Sequence, residues 1–258
     1  MSGSPAAPGR VAYLGHATVL MELGGRRVLT DPVLSNRLLH LRRRSSPVTA
    51  KLEPLDLILI SHLHHDHLHP ASLRQLGKDA TAVVPAGGAR LLERAGFSDV
   101  REVRVGESVE FDGGLLEAVP ASHPGGRPPL GPAADALGFV ISAGGDRVYF
   151  AGDTDLFDEM GGLGDLDLAL LPVWGWGTSI GEGHLDPTKA AEAARRLRPR
   201  LAIPIHWGTF FPIGTSSRHH AKLHEPPREF ARLVAEAAPE VEVRVLEPGE
   251  STALTDRP

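Results

Sequence analysis

The sequence predicts a layered α/β protein with sheets inside and helices outside. Its length of 258 residues is typical of a single α/β domain. Strand-like apolar runs recur along both halves of the chain, and helix-like stretches separate them. Hydrophobic residues make up 41% and charged residues 23%, which is ordinary globular usage and argues against disorder. We therefore expect residues 1–9 to form a disordered tail and residues 10–258 to form one domain.

The first half of the chain contains most of the predicted strands. Gly24-Gly25 is typical of a hairpin turn, and Asp31-Pro32 interrupts the first ladder. Alternating or continuous apolar residues predict strands over 11–14, 18–23, 27–30, 55–61, 80–84, 101–105, 108–111 and 115–119. Residues 33–54 are expected to be irregular. Short helices are predicted over 70–76 and 86–95.

The second half repeats this pattern. Apolar runs predict strands over 137–142, 147–151, 168–172, 201–205 and 241–246. One helix is predicted over 187–196, because Asp186 is a suitable N-cap and Pro187 a suitable first residue. A second helix is predicted over 229–238. The segments 120–136 and 173–186 are rich in glycine and are expected to be loops.

Charge and composition exclude several classes of protein. Lys and Arg number 27 against 32 Asp and Glu, so the net charge of -5 gives no general attraction to nucleic acid. The chain has no cysteine, which excludes disulfides, thiolate metal ligands and a cysteine nucleophile. The longest apolar runs are too short to span a bilayer, and the first ten residues do not resemble a signal peptide. We expect a cytoplasmic protein without a stable membrane anchor.

The strongest local signal is a histidine-rich segment directly after the predicted strand 55–61. Residues 61–67 read SHLHHDH, in which His62, His64, Asp66 and His67 form an HxHxDH pattern. Imidazole and carboxylate groups bind zinc, iron or manganese where no thiolate is available. Alternate residues leaving a strand point the same way, so His62 and His64 can share one ion, and Asp66 and His67 can face a second. The alternative is a solvated loop or a set of helix caps, which five histidines within residues 62–69 disfavour.

Three more polar residues each follow a predicted strand, where sheet proteins usually place their chemistry. His123 comes after the strand 115–119, Asp153 after 147–151 and His206 at the end of 201–205. Alone, each would be typical of a turn residue or a hydrogen-bonded histidine. Together with the cluster they complete a set of seven candidate metal ligands, which comprises His62, His64, Asp66, His67, His123, Asp153 and His206.

With these motifs in this order, nearly the whole chain resembles the metallo-β-lactamase-fold hydrolase superfamily. The resemblance implies a four-layer αβ/βα sandwich of two mixed sheets flanked by helices. It implies that one divalent ion is bound by His62, His64 and His123. It implies that a second ion is bound by Asp66, His67 and His206, and that Asp153 bridges the two. Zinc is the default metal, with manganese or iron as alternatives.

Four further segments narrow the resemblance. They are LGHATVL at 14–20, LTDPV at 29–33, GHLDP at 183–187 and PIHWGTF at 204–210. Together they resemble the branch that holds the ascorbate-phosphate lactonase and the N-acyl-phosphatidylethanolamine-hydrolysing phospholipase D. This leaves the substrate open, because relatives in the superfamily split lactones, amides, phosphodiesters and thioesters.

Several residues outside the ligand set are candidates for supporting roles. His184 is expected to donate a proton to the leaving group or to contact substrate, with pinning of its loop as the alternative. Asp66 is assigned as a catalytic residue as well as a ligand. His16, Asp31 and Asp186 are expected to support a ligand or contact substrate, although His16 could be a buried hydrogen-bonded histidine. The basic run 42–44 is expected to be a solvated loop face, with phosphate steering or contact with a membrane surface as alternatives.

The leading hypothesis is a dinuclear metal-dependent hydrolase that uses a metal-bound hydroxide on a small ester, lactone or phosphodiester. Such a site would suit an anionic substrate. The alternative is a phospholipase D-like or nuclease-type phosphodiesterase, although the acidic net charge argues against nucleic acid as a partner. A diiron redox protein would have a carboxylate where His64 stands. A non-catalytic metal-binding scaffold is disfavoured by the full ligand set. Homo-oligomerisation is left open.

Overall fold

The computed structural model describes residues 8–175, 180–215 and 221–254. One seven-stranded sheet is built mainly from the first half of the chain. Its strands are Arg10–Gly15 (β1), Thr18–Leu23 (β2), Arg26–Thr30 (β3), Leu57–Leu59 (β6), Thr81–Pro85 (β7), Val100–Val103 (β8) and Ser251–Ala253 (β17). They lie in the order β17-β1-β2-β3-β6-β7-β8, and pairing changes from antiparallel to parallel at β3.

A second seven-stranded sheet has the corresponding construction. Its strands are Ser108–Phe111 (β9), Gly114–Pro124 (β10), Asp135–Ala143 (β11), Asp146–Phe150 (β12), Leu168–Pro172 (β13), Leu201–Ile205 (β14) and Glu242–Val243 (β16). They lie in the order β16-β14-β13-β12-β11-β10-β9. The strands from β9 to β12 pair antiparallel, and those from β12 to β16 pair parallel. Both sheets are therefore mixed.

The remaining elements are a small sheet and the helices. The small sheet consists of Arg37–Leu38 (β4), Leu41–Arg43 (β5) and Phe210–Pro212 (β15), in the order β15-β5-β4. The α-helices are Pro70–Leu73 (α1), Ala89–Glu93 (α2), Pro187–Leu197 (α3) and Glu225–Ala237 (α4), and a 3₁₀ helix spans Asp158–Gly162. Asp186 caps α3 as predicted, because its Oδ1 accepts a hydrogen bond of 2.8 Å from the Lys189 amide.

The two large sheets pack face to face with the main core between them. Leu57 and Leu59 of β6 belong to this core, together with Phe139 and Phe150 of the second sheet. Ile58 points the other way and packs beneath α1 and α2 in a separate cluster. On the far side of the second sheet, α3 and α4 contact each other and cover β13 and β14. The predicted four-layer αβ/βα sandwich is therefore confirmed.

Some predicted element boundaries are wrong. The segment 120–136 is not a loop throughout, because β10 continues to Pro124 and β11 begins at Asp135, with a register shift in between. The segment 33–54 contains the short strands β4 and β5. The predicted last strand shrinks to β16, and β17 was not predicted. Proline disfavours strand pairing, and strands of two or three residues are too short to show a period of two.

The basic run differs from expectation at one residue, and most of the predicted tail is not described by the structure. The predicted tail 1–9 falls mainly on residues 1–7, which lie outside the described residues. Gly9 is buried, and its carbonyl accepts a hydrogen bond from the Leu254 amide. In the basic run Arg42 and Arg44 are exposed as predicted, but Arg43 is 6% exposed, because alternation along β5 turns its side chain inward. No helix within the described ranges is long and apolar enough to cross a membrane.

Two fully buried tyrosines provide a stability test. The Tyr13 hydroxyl donates a hydrogen bond of 2.6 Å to the Trp207 carbonyl, whereas the Tyr149 hydroxyl has no partner among the described residues. A buried polar group without a partner costs roughly 1–3 kcal/mol. We expect Tyr149→Phe to raise the free energy of unfolding by about 1 kcal/mol and Tyr13→Phe to lower it by about 1 kcal/mol. Urea denaturation measures both, and a change of the same sign in the two variants would contradict the assignment.

Candidate metal centre

The seven candidate ligands meet at the edge of the sandwich where β6, β12 and β14 end. The histidine-rich segment follows β6, His123 lies near the end of β10, Asp153 follows β12 and His206 follows β14. Backbone hydrogen bonds join these segments across the two sheets. The Leu63 amide donates to Gly125, and the Leu137 amide of β11 donates to Ser61. Because the two sheets face each other, candidate ligands that are far apart in the sequence meet in one site.

The first cluster consists of His62, His64 and His123. One ligand atom from each lies within 4.8 Å of the others, and His123 Nε2 is 3.2 Å from His64 Nδ1. His62 Nε2 is buried and has no hydrogen-bond partner in the described part of the chain. Burial lowers the pKa of His62 well below 6.5 and that of His64 to about 4. The imidazoles are therefore neutral at pH 7, as metal ligands must be.

His62 and His123 each have a partner at their other ring nitrogen. His123 Nδ1 donates to the Gly183 carbonyl at 2.8 Å, and the Ser61 hydroxyl lies 3.0 Å from His62 Nδ1. A hydrogen bond at one imidazole nitrogen fixes the tautomer and turns the other nitrogen toward the ion. These two ring orientations are compatible with metal binding.

The second cluster consists of Asp66, His67 and His206, with His16 beside them. His67 Nε2 and His206 Nε2 are 3.2 Å apart, and Asp66 Oδ2 lies 3.8 Å from His67 Nε2. His206 Nδ1 donates to the Trp174 carbonyl at 2.5 Å, which leaves Nε2 facing the cluster. Burial lowers the pKa of His206 to about 3. One ligand atom from each of the four residues lies within 4.8 Å of the others.

Asp153 lies between the two clusters. Its Oδ2 is 3.2 Å from His67 Nε2 and 3.5 Å from His184 Nε2, and its Oδ1 is 3.2 Å from His206 Nε2. Oδ1 is buried and makes no hydrogen bond of good geometry within the described residues. Burial opposes ionisation, but the neighbouring imidazoles of His206 and His67 hold the pKa of Asp153 well below its usual range. An oxygen of Asp153 also lies within 4.8 Å of nitrogens of His123 and His184. This side chain is thus an ionised carboxylate between the second cluster and His123 of the first.

Asp31 supports the second cluster from behind. Its Oδ2 lies 2.7 Å from His67 Nδ1 and accepts a hydrogen bond of 2.6 Å from the Ser61 hydroxyl, while Oδ1 accepts one from the Ser61 amide. Burial lowers the pKa of His67, but the three surrounding carboxylates raise it well above 6.5. Asp31 therefore orients the His67 ring so that Nε2 faces the cluster.

His16 is buried against His206 and Asp66 of the same cluster. It is 1% exposed, its ring lies over that of His206 with 3.8 Å between centroids, and its Nε2 is 3.1 Å from Asp66 Oδ2. His16, Asp31 and His206 all have positive φ angles, of 58°, 34° and 65°. Such strained backbone conformations in residues other than glycine concentrate at functional sites. The position of His16 fits the predicted support of a ligand.

His184 also reaches the centre, whereas Asp186 does not take part in it. The His184 ring is 4.6 Å from that of His123, its Nε2 approaches Asp153, and its side chain keeps 26% exposure. Asp186 caps α3 and belongs to none of the metal-compatible groups among the described residues. A direct role of Asp186 toward substrate stays a prediction.

Sequence reasoning missed Arg127, which braces the histidine-rich turn. Its guanidinium donates to the carbonyls of Leu63 and Leu68, each at 2.9 Å, and lies 2.8 Å from His65 Nδ1. Sequence reasoning also missed the carbonyls of Trp174 and Gly183 described above. Every residue has a backbone carbonyl, so the residue type does not reveal such a partner. Arg127 lies in a Gly/Pro-rich segment without strand or helix periodicity, so the sequence did not predict its contacts.

The inward-turned Arg43 lies behind His16. It donates to the Val33 carbonyl at 2.6 Å and covers the Phe210 ring at 4.9 Å. The Phe210 ring in turn meets the His16 ring edge-on at 5.5 Å. Burial lowers the pKa of Arg43 to about 10, so the guanidinium stays charged at pH 7. Arg43 is thus part of the wall that holds the second cluster.

Asp31→Asn is expected to weaken metal binding by about 10–100-fold, the usual loss when a group that orients a ligand is changed. The amide cannot provide negative charge to the His67 imidazole, and it disturbs the bonds to Ser61. Titration against a competing chelator measures the affinity. Asp186→Asn is the matched control, because asparagine also caps helices. Equal affinities for the two variants would exclude the orienting role of Asp31.

Comparison with known proteins agrees with this fold and with a metal-dependent function. Residues 26–207 match the model of the β-lactamase superfamily domain. A UPF0173 metal-dependent hydrolase of Methanopyrus kandleri is 35% identical and covers 94% of this chain and 98% of its own. One from Aeropyrum pernix is 36% identical, over 94% and 96%. The solved structure of Igni18, a metallo hydrolase from Ignicoccus hospitalis, is 27% identical over 96% of this chain and 99% of its own, with a TM-score of 0.72.

The sandwich with its histidine and aspartate groups at one edge defines a metal-dependent hydrolase of the metallo-β-lactamase superfamily. Within it, the chain belongs to the UPF0173 metal-dependent hydrolase family, as its full-length similarity to the two archaeal relatives shows.

Proposed function

We propose that this hydrolase works with two divalent ions bound side by side. His62, His64 and His123 would hold one ion, Asp66, His67 and His206 the other, and Asp153 would reach both. The observation that carries the proposal is the position of Asp153, whose oxygens lie 3.2 Å from His67 and His206 nitrogens of the second cluster and within 4.8 Å of a His123 nitrogen of the first. A single ion would need only one of the two clusters.

The residues present fit such ions. His62 Nε2 and Asp153 Oδ1 are buried polar atoms without hydrogen bonds among the described residues, which is costly unless a further group binds them. The donor set of imidazole and carboxylate without thiolate suits zinc first, and manganese or iron as alternatives. The lowered pKa values of the His62, His64 and His206 imidazoles keep their nitrogens available for coordination.

Divalent ions held there would lower the pKa of a bound water to about 7 and would polarise a carbonyl or phosphoryl oxygen. Asp66, which lies against His16, would bind the attacking water and accept a proton from it. His184 would serve the leaving group, because its Nε2 lies beside Asp153 while its ring keeps contact with solvent. Burial lowers the pKa of His184, but the hydrogen bond to Asp153 raises it above 6.5, so the ring can carry a proton near pH 7.

The proposed substrate is a small, anionic ester, lactone or phosphodiester in the cytoplasm. The segments at 14–20, 29–33, 183–187 and 204–210 support this class through their resemblance to the lactonase and phospholipase D branch. A nuclease-type phosphodiesterase is less well supported, because the net charge of -5 does not favour nucleic acid.

Elemental analysis together with a substrate panel tests the proposal. Protein purified without chelator is expected to contain about two ions per chain, as in other two-metal hydrolases. The panel compares a lactone, a carboxylic ester and a phosphodiester with each of zinc, manganese and iron. A single ion at saturation would overturn the dinuclear site. Hydrolysis of none of the three substrates by the metal-loaded protein would overturn the substrate class.

A further inference from the structure

The hairpin between β4 and β5 ends in a leucine that the fold itself does not explain. Leu39 is 61% exposed and has a φ of 49°, a left-handed conformation usually taken by glycine, asparagine or aspartate. Ile213, whose amide donates to the His40 carbonyl beside it, is 49% exposed. The chain thus places two large aliphatic side chains in water next to each other, and one of them on a strained backbone.

Two arginines flank the hairpin that carries Leu39. Arg37 and Arg42 lie directly opposite each other across the β4–β5 pair, and both are exposed. Like charges in this position destabilise a sheet. Neither arginine pairs with a carboxylate in the described ranges. We refer to Arg37, Leu39, Arg42 and Ile213 as the basic tip.

The basic tip stands at the rim of the metal centre. At its inner end, β15 begins with Phe210, whose ring contacts that of His16. The strand ends at Pro212, and Ile213 follows it directly. Ile213 is therefore three residues from Phe210, which corresponds to about 10 Å of extended chain. The small sheet therefore leads from the wall of the site to the exposed tip.

We propose that the basic tip docks the protein on an anionic lipid surface. A bilayer presents negative headgroups above an apolar interior, and the tip presents arginines around an aliphatic point. The charge of the tip is opposite to the net charge of -5, so the attraction is local. Two arginines and two aliphatic side chains give a reversible contact that salt weakens, which differs from a stable membrane anchor.

A second copy of the chain fits this surface less well. In a symmetric dimer the same patch would meet itself and bring the arginines of both copies together without a carboxylate from the tip. A free phosphate could pair with the arginines, but it would not cover Leu39 or Ile213. The lipid surface accounts for the charges and for the exposed aliphatic side chains at once.

Co-sedimentation of the full-length protein with vesicles tests the proposal. We expect binding to phosphatidylcholine vesicles that contain phosphatidylglycerol, no binding to phosphatidylcholine alone, and loss of binding at high salt. Leu39→Asn keeps a residue that accepts the left-handed conformation and should lower partitioning about tenfold. Arg42→Gln should lower it roughly fivefold. Removing the Arg37–Arg42 repulsion should leave unfolding stability equal or higher.

Matched controls lie outside the tip. Leu130→Asn changes a leucine that is 96% exposed, and Arg228→Gln changes an exposed arginine of α4. Neither should alter vesicle binding. The proposal is overturned if wild type binds neither vesicle type, if it binds both equally, or if the controls lose as much binding as the tip variants. A dimer in sedimentation velocity that Leu39→Asn dissociates would instead assign the tip to a second copy.

Discussion

Asp153→Asn is expected to remove metal from both clusters and to lower turnover by roughly 10²–10³-fold or more, the loss typical when one key electrostatic group of a site is removed. The carboxylate lies within 3.2 Å of His67 and His206 nitrogens and 3.5 Å from that of His184. Asparagine keeps the shape but loses the negative charge that would balance the two proposed cations. Metal content and turnover of the purified variant, measured on the same sample, check the prediction.

Asp155→Asn is a matched control for this experiment. Asp155 lies two residues further along the same loop, pairs with Lys189 at 2.6 Å, and belongs to none of the metal-compatible groups among the described residues. Loss of this partly exposed pair should cost at most about 1 kcal/mol of unfolding stability and no metal. If Asp153→Asn kept two ions and normal turnover, its place between the ions would be refuted. If both variants lost metal equally, the loop and not the carboxylate would be responsible.

Strand periodicity explains why so much of this site could be predicted from the sequence. His62 and His64 follow a fully apolar strand, and His206 ends another, so their position at the edge of a sheet follows from local pattern alone. The Asp186-Pro187 start of α3 is also local, since the cap is made within four residues. These features depend on neighbours in the chain, and the sequence displays them directly.

The parts that could not be predicted depend on how the two sheets face each other. Arg43 was expected to be solvated, but β15 arrives from a position more than 160 residues away and places Phe210 beneath its guanidinium. The carbonyls of Trp174 and Gly183 orient ligand histidines through backbone atoms that every residue possesses. His16 was a candidate only through its motif, because its contact with His206 follows from sheet packing. Such contacts carry no periodic signal.

His184→Ala is expected to keep both metals and the fold while turnover falls by about 10²–10⁴-fold, the usual contribution of a general acid. His184 Nδ1 lies 3.1 Å from the Glu182 carbonyl and Nε2 lies 3.5 Å from Asp153, so both nitrogens are oriented within the site. The seven proposed ligands already account for two ions. Turnover of a lactone or alkyl ester, metal content and urea unfolding together test this role.

The leaving group provides the decisive comparison for His184. A nitrophenyl ester expels an anion that needs no proton, so the loss caused by His184→Ala should shrink strongly with that substrate. His224→Ala changes a half-exposed histidine near Glu247 that belongs to none of the metal-compatible groups among the described residues, and it should leave both rates unchanged. Loss of one ion in His184→Ala would make this residue a ligand. An equal, large loss on both substrates would point to substrate positioning, because only proton donation depends on the basicity of the leaving group.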